Sequence, residues 1–180
     1  KILSRGRSLG ILNAISSGFC CFDIKKIHTI SRKVPQNVNG LINLAFITYY
    51  LTSKESTQFV KKLSMPKSWM RIVKDTISLR SMIPELSINN LKSSSLFKYL
   101  SEHCYEAILA NKLLTESEIA KKRMDNYINV LQYIKPELSG LELQEIWVPQ
   151  GPLINQFLSE ILVEKLDGQI KSKRQEQELI

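Results

Sequence analysis

The chain has 180 residues, 43% of them hydrophobic, and carries 25 Lys and Arg against 17 Asp and Glu, for a net charge of +8. That length holds one domain with a real core or two small ones, and the apolar share excludes a wholly disordered chain. No apolar run approaches the roughly 20 residues of a membrane span, and Lys1-Ile-Leu-Ser-Arg-Gly-Arg7 lacks the apolar core of a signal peptide.

Seven Gly and six Pro among many Leu, Ile, Lys, Glu and Ser favour helices throughout. Leu3, Leu9, Ile11, Leu12 and Ile15 predict a helix over 2–15, loosened at Gly6 and Gly10. Ser16 to Phe22 is a break. Asp23 suits the N-cap of a helix reaching about Val34, and Pro35 to Gly40 reads as a turn. Leu41 to Leu51 is nearly all apolar, which predicts a buried helix. Ser53 or Ser56 can cap the next one, which carries Phe59, Val60 and Leu63. After Pro66, the residues Trp69, Ile72, Val73, Ile77 and Leu79 recur at helical spacing.

Pro84 to Ser95 reads as an internal linker. Leu96 to Leu100 and Tyr105 to Leu114 are short helices. Thr115 and Glu118 have capping-box spacing. The helix behind them is expected to run about five turns, to Lys135-Pro136, with Ile119, Met124, Tyr127, Ile128, Leu131 and Ile134 inward. Beyond Pro136 lie a short helix, a turn, a helix opened by Gly151-Pro152, and the Asp167-Gly168 turn with basic residues behind it. The expected fold is therefore all-α: a multi-helix body over 1–135, subdivided if anywhere near 84–95, and a small helical tail module over 136–180. The chain opens inside one helical pattern and stops inside another, as expected of a piece of a longer protein.

Cys20, Cys21 and Cys104 are odd in number, and neighbours such as the first two rarely bridge. This suits a reducing cytoplasm and inert thiols. His28 and His103 lack zinc-ligand spacing to them. No metal site and no catalytic residues are expected in this chain. There is no Gly-x-x-x-x-Gly-Lys phosphate loop and no Asp-x-Asp pair, and the four aspartates are scattered. Glu142, Glu145, Glu160 and Glu164 read as solvated helix faces.

The charge is lopsided. Residues 1–80 hold 14 Lys and Arg against Asp23, Glu55 and Asp75, whereas residues 81–180 are net acidic. Contact with a polyanion explains this better than a merely solvated surface does, since neutralising phosphates releases counterions. Lys67, Arg71 and Lys74, at i, i+4 and i+7, share a helix face, and Lys61 and Lys62 close the helix before it. Trp69 is expected in the core, with base stacking as its alternative. Arg5, Arg7, Lys25, Lys26, Arg32 and Lys33 are further phosphate candidates. At Gly151-Pro152 the free N–H groups of a helix start suit a phosphate, which Lys171, Lys173 and Arg174 could flank. Many helical hairpins share that pattern, so by itself it reads as ordinary structure.

The run Leu138-Ser-Gly-Leu-Glu-Leu143, then Gly151-Pro-Leu-Ile-Asn-Gln-Phe-Leu158, then Asp167-Gly-Gln-Ile-Lys-Ser-Lys173 resembles the C-terminal end of bacterial class II tRNA nucleotidyltransferases and the related poly(A) polymerases. The family pattern is roughly Leu-x-Gly-x-Asp-Leu, Gly-Pro-x-Ile-Gly-x-x-Leu and Asp-Gly-x-Ile-x-x-(Arg/Lys). Leu9 to Phe19 looks like that family's helix and break, and Leu63-Ser-Met-Pro-Lys67 like its Leu-x-Leu-Pro-Lys junction. Three positions depart from it: Glu142 replaces an Asp, Asn155 replaces a Gly, and Ser16-Ser17 replaces His-Pro.

The resemblance implies a body and tail that hold the acceptor stem and T arm of tRNA. In the family an upstream head and neck carry Asp-x-Asp and Glu-Asp-x-x-Arg motifs, absent from this chain, and add nucleotides with magnesium. The expected partners are tRNA and the parent's own head and neck, with no membrane and no cofactor in this part. Addition of CCA, CC, A or a poly(A) tail stays open. The alternative is a non-catalytic helical interaction or scaffold domain whose basic half meets an acidic protein.

Overall fold

Gly10 adopts φ +69°, a left-handed conformation that ends one helix and starts the next. The N-terminal stretch is therefore two helices, α1 (Ile2–Ser8) and α2 (Ile11–Ile15), where periodicity predicts one; Gly6 stays helical, and Leu9 and Ile11 face solvent. The computed structural model describes residues 2–15, 17–20, 23–32, 34, 40–145 and 151–179. Ser16, Lys33, residues 35–39 of the expected turn and residues 146–150 of the tail pattern lie outside the described residues.

A 3-10 turn over Ser17–Cys20 follows. Asp23 caps α3 (Ile24–Ser31), its carboxylate accepting from the Lys25 and Lys26 amides at 2.8 and 3.2 Å. This helix stops short of Val34, with Arg32 as its C-cap. Apolar α4 (Ile42–Thr48) is buried as expected. The cap of α5 (Ser53–Lys62) is Thr52, not Ser53 or Ser56. Thr52 and Glu55 form a reciprocal capping box, while the Ser56 hydroxyl donates back to the Ser53 carbonyl inside the helix. Leu63, expected on this helix, is its exposed C-cap.

Pro66 precedes α6 (Lys67–Ser81), and the stretch read as a linker begins with one more helical turn, α7 (Ile83–Leu86). Its closing serines instead open α8 (Ser93–Ser101). Helix α9 (Tyr105–Leu114) has the expected bounds. The Thr115–Glu118 box does not form: Ser117 accepts from the Ala120 amide, and Thr115 accepts from the Ser117 amide. Helix α10 (Glu118–Asn129) falls short of five turns because Val130 leaves the helical region at φ −130°, and a 3-10 turn over Leu131–Tyr133 follows. Its inward positions are Ala120, Met124 and Tyr127, while Ile119 is exposed. Helices α11 (Gly140–Glu145), α12 (Pro152–Leu166) and α13 (Lys173–Glu178) complete the chain. Among the described residues there are thirteen α-helices and no strand; the fold is all-α.

The chain divides into two compact units. The first comprises Lys1–Ile88 and Glu102–Met124, the second Asn89–Ser101 and Asp125–Ile180. In the first, α4, α6 and α9 pack on one another around Phe46, Val73, Ile77, Leu79, Ala107 and Ala110. Polar bonds fix this packing. The buried Asn111 amide donates to the Thr76 carbonyl at 3.0 Å, and Arg80 donates to the Tyr49 and Leu51 carbonyls that close α4. Helix α5 lies along α6 and meets the 3-10 turn through Phe59 and Phe19, edge to face at 5.1 Å.

In the second unit, α11 packs on α12 through Leu138, Leu143, Ile154 and Ile161, and α8 packs on the other end of α12. Gly140 allows close approach there, since a Cβ would lie 3.2 Å from Ile154.

Candidate nucleic-acid interface

The α5–α6 hairpin places the basic run. Lys61 and Lys62 lie in the last turn of α5, where cations meet the negative end of the helix dipole. Ser64 reverses the chain at φ +46°, and Pro66 leads into α6. Between the two helices runs an open groove of about 780 Å³. Lys61 reaches it from α5, and Lys67, Arg71 and Lys74 reach it from α6. Val60, Met65, Met70 and Val73 line it with apolar surface, and Ser56, Thr57 and Ser64 add hydroxyls.

Arg71 is anchored there. Its Nε lies 3.4 Å from the Asp75 carboxylate, one helical turn on, and its Nη2 donates to the Glu102 carbonyl at 3.5 Å. Asp75, with only 13% of its side chain exposed, also accepts from the Cys104 amide at 2.9 Å and so satisfies a donor at the start of α9. One buried carboxylate thus ties a cation of the groove to the core. Among the described residues no carboxylate pairs with Lys61, Lys67 or Lys74. The groove is a cationic rim over an apolar lining, suited to phosphates at its edges.

Not all the expected basic residues join it. Lys62 turns back and donates to the Ile15 and Ala14 carbonyls at 3.3 and 3.5 Å, closing α2. Arg7 donates to the Phe19 carbonyl at 3.3 Å and is half-buried. Arg5 on α1, Lys25 and Lys26 on α3, and Arg32 at its C-cap are exposed on the same unit. Lys33 lies outside the described residues. Trp69, expected in the core, is 41% exposed and does not line the groove. It sits in the first turn of α6, ahead of the buried stretch that begins at Ile72.

In the second unit, Gly151 is the exposed N-cap of α12 at φ +144°, followed by Pro152 as its first residue. Asp167 of the Asp-Gly turn accepts from the Ser94 amide and hydroxyl, both at 2.8 Å, and so caps α8. Gly168, at φ +76°, closes α12 by donating to the Lys165 carbonyl. Lys171 is exposed, Lys173 pairs with Glu142, and Arg174 pairs with Glu178 one turn further along α13. Glu142, expected as a solvated face, also closes a capping box with Ser139. Lys173 and the Ser139 amide and hydroxyl hold the Glu142 carboxyl down at about 2.

The apolar lining and Asp75 lie outside the basic pattern that marks the groove in the sequence. Met70 three residues after Lys67, and Asp75 four after Arg71, are the signals that mark them. The Cys104 thiol is pushed up to about 11, chiefly by burial, which keeps it protonated. Among the described residues no cluster of His, Cys, Asp or Glu could hold a metal, and no helix is long and apolar enough to cross a membrane. Comparison with known protein families, curated proteins and solved structures finds no match for this chain.

Proposed function

We propose that the chain is an RNA-binding helical region, with the role that the C-terminal body and tail play in tRNA nucleotidyltransferases. It would hold the acceptor and T arm of tRNA while a head outside this chain adds nucleotides to the 3′ end. One observation carries the reading: four cations from two helices gather on a single groove, in the half of the chain that holds most of the positive charge. Lysines without carboxylate partners are free to neutralise phosphates, and such contacts position an RNA rather than read its sequence. Selectivity would come from the shape and 2′-hydroxyls of the A-form stem. The same reading fits the corresponding region of a poly(A) polymerase, because the choice of reaction belongs to the head.

The test is tRNA binding by fluorescence anisotropy at about 50 and 200 mM salt. Affinity is expected to fall steeply with salt. The triple variant K61E/K67E/K74E is expected to bind at least about tenfold more weakly at the lower salt, with a shallower salt slope. Arg71 is left in place because it is tied to Asp75 and Glu102. Undetectable or salt-insensitive binding would overturn the reading.

Such a result would favour a second reading, a scaffold domain that meets an acidic protein. The exposed Leu63, Trp69 and Met70 on the same hairpin support that alternative.

A further inference from the structure

A phosphodiester backbone needs only the rim of the α5–α6 groove. An A-form duplex presents phosphates, sugar hydroxyls and stacked base edges to a protein surface, and none of these would bury the apolar faces that Val60, Met65 and Met70 leave open there. Met70 is nevertheless 40% exposed on that surface, beside Arg71 and one turn before Lys74. The open groove, at about 780 Å³, is large enough for a nucleotide-sized group. The ligand that suits it has anionic groups spaced along a chain and a flat apolar body between them. A nucleotide out of its stack has both: its base offers an apolar face, and its flanking phosphates carry the charge. Thioether side chains are polarizable, conform to irregular shapes and make favourable contacts with aromatic rings.

We infer that the α5–α6 groove takes an unpaired nucleotide of a single-stranded RNA segment, its base against Met65 and Met70 and its flanking phosphates on Lys61, Lys67, Arg71 and Lys74. The inference rests on the RNA-binding reading and adds to it a preference for an unstacked base over a paired one. Arg71 is oriented on the rim before any ligand arrives, since its Nε and Nη2 already meet Asp75 and the Glu102 carbonyl. Preorganisation of that kind lowers the ordering cost of binding.

The experiment compares two probes on the whole chain: an eight-nucleotide single-stranded RNA carrying one 2-aminopurine, and a blunt duplex of the same sequence. The variant M65S/M70S removes apolar surface and leaves every charge in place, and an unchanged circular dichroism melt establishes that it folds. The single strand is expected to bind more tightly than the duplex, with a change in 2-aminopurine fluorescence. M65S/M70S is expected to weaken the single strand about tenfold and leave the duplex within about twofold. Duplex binding with no preference for the single strand, or an equal loss for both probes in the variant, would overturn the groove assignment and leave the RNA-binding reading standing. Failure of both RNAs to bind at low salt would overturn both readings. Displacement of bound RNA by an acidic helical peptide at equal or lower concentration would overturn the inference in favour of a protein occupant.

Discussion

Glu142 shows how much one side chain can be asked to do. It closes the Ser139 capping box at the start of α11 and pairs with Lys173 at the start of α13. Lys173 and then Ser139 lower its pKa, so folding gains from the charged form. That gain is complete above the ordinary glutamate value of about 4.3 and fades as pH falls toward 2. E142Q is therefore expected to melt below the wild type at neutral pH, with the gap closing as the pH is taken from 5 to about 2, followed by circular dichroism. A gap that stays constant over that range would show that the carboxylate charge contributes nothing. The capping-box spacing of Ser139 and Glu142 is legible in the sequence, but the Lys173 partner is not, because 31 residues separate the pair. The same holds for Asp75. Its bond to Arg71 follows from i, i+4 spacing, but its bond to Cys104 depends on α9 returning to α6.

Among the elements, α13 is held by a device absent from any local pattern. Glu176 is fully buried, accepts the Glu137 and Leu138 amides at 2.9 and 2.8 Å, and binds the Lys165 ammonium at 2.6 Å. Burial works against its charge, but Lys165 and the two amides outweigh it, and the carboxyl lies below its ordinary range. Lys165 is likewise held above its usual value, with burial opposing and the Glu137 and Glu176 carboxylates prevailing. Removing Glu176 leaves the two amides without their acceptor and the buried ammonium with only the half-exposed Glu137. E176A is expected to cost the second unit about 3 kcal/mol in urea unfolding. E176Q is expected to cost less, since its amide oxygen still accepts from the backbone. Equal stability of E176A and the wild type would mean that water replaces the carboxylate at no cost. Periodicity makes the helices themselves legible, down to the bounds of α9. Caps are read less surely: Thr52, extended at ψ 163°, caps α5 ahead of Ser53, and at α10 the Ser117 hydroxyl takes the Ala120 amide while Thr115 takes only that of Ser117.

At the scale of the molecule, burial is uneven within the first unit. Helices α6 and α9 bury Ile72, Val73, Thr76, Ile77, Leu79 and the run Ala107–Asn111, whereas Leu9 and Ile11 beside α1 and α2 are exposed. Amide exchange is expected to be slowest in α6 and α9 and to be lost first from α1 and α2, as read by hydrogen-exchange mass spectrometry. Equal protection in α1 and α6 would contradict this. The groove belongs to the same gradient. Its α6 side is the outer face of a helix whose opposite face is buried in the core, so Lys67, Arg71 and Lys74 project from a rigid support.

The sequence by itself determined the helical class, because apolar residues at a 3.6-residue period dictate which face is buried. It also determined that positive charge collects in the first half, and that Lys67, Arg71 and Lys74 share a side of one helix. Only the tertiary structure decided that Lys61 joins them while Lys62 turns to the end of α2, that Trp69 stays out of the core, and that Met65 and Met70 line the space between the cations. Periodicity fixes which residues share a face. Which faces meet, and whether a gap is left between them, depends on how α5 and α6 pack after Ser64 and Pro66, and no local pattern encodes that.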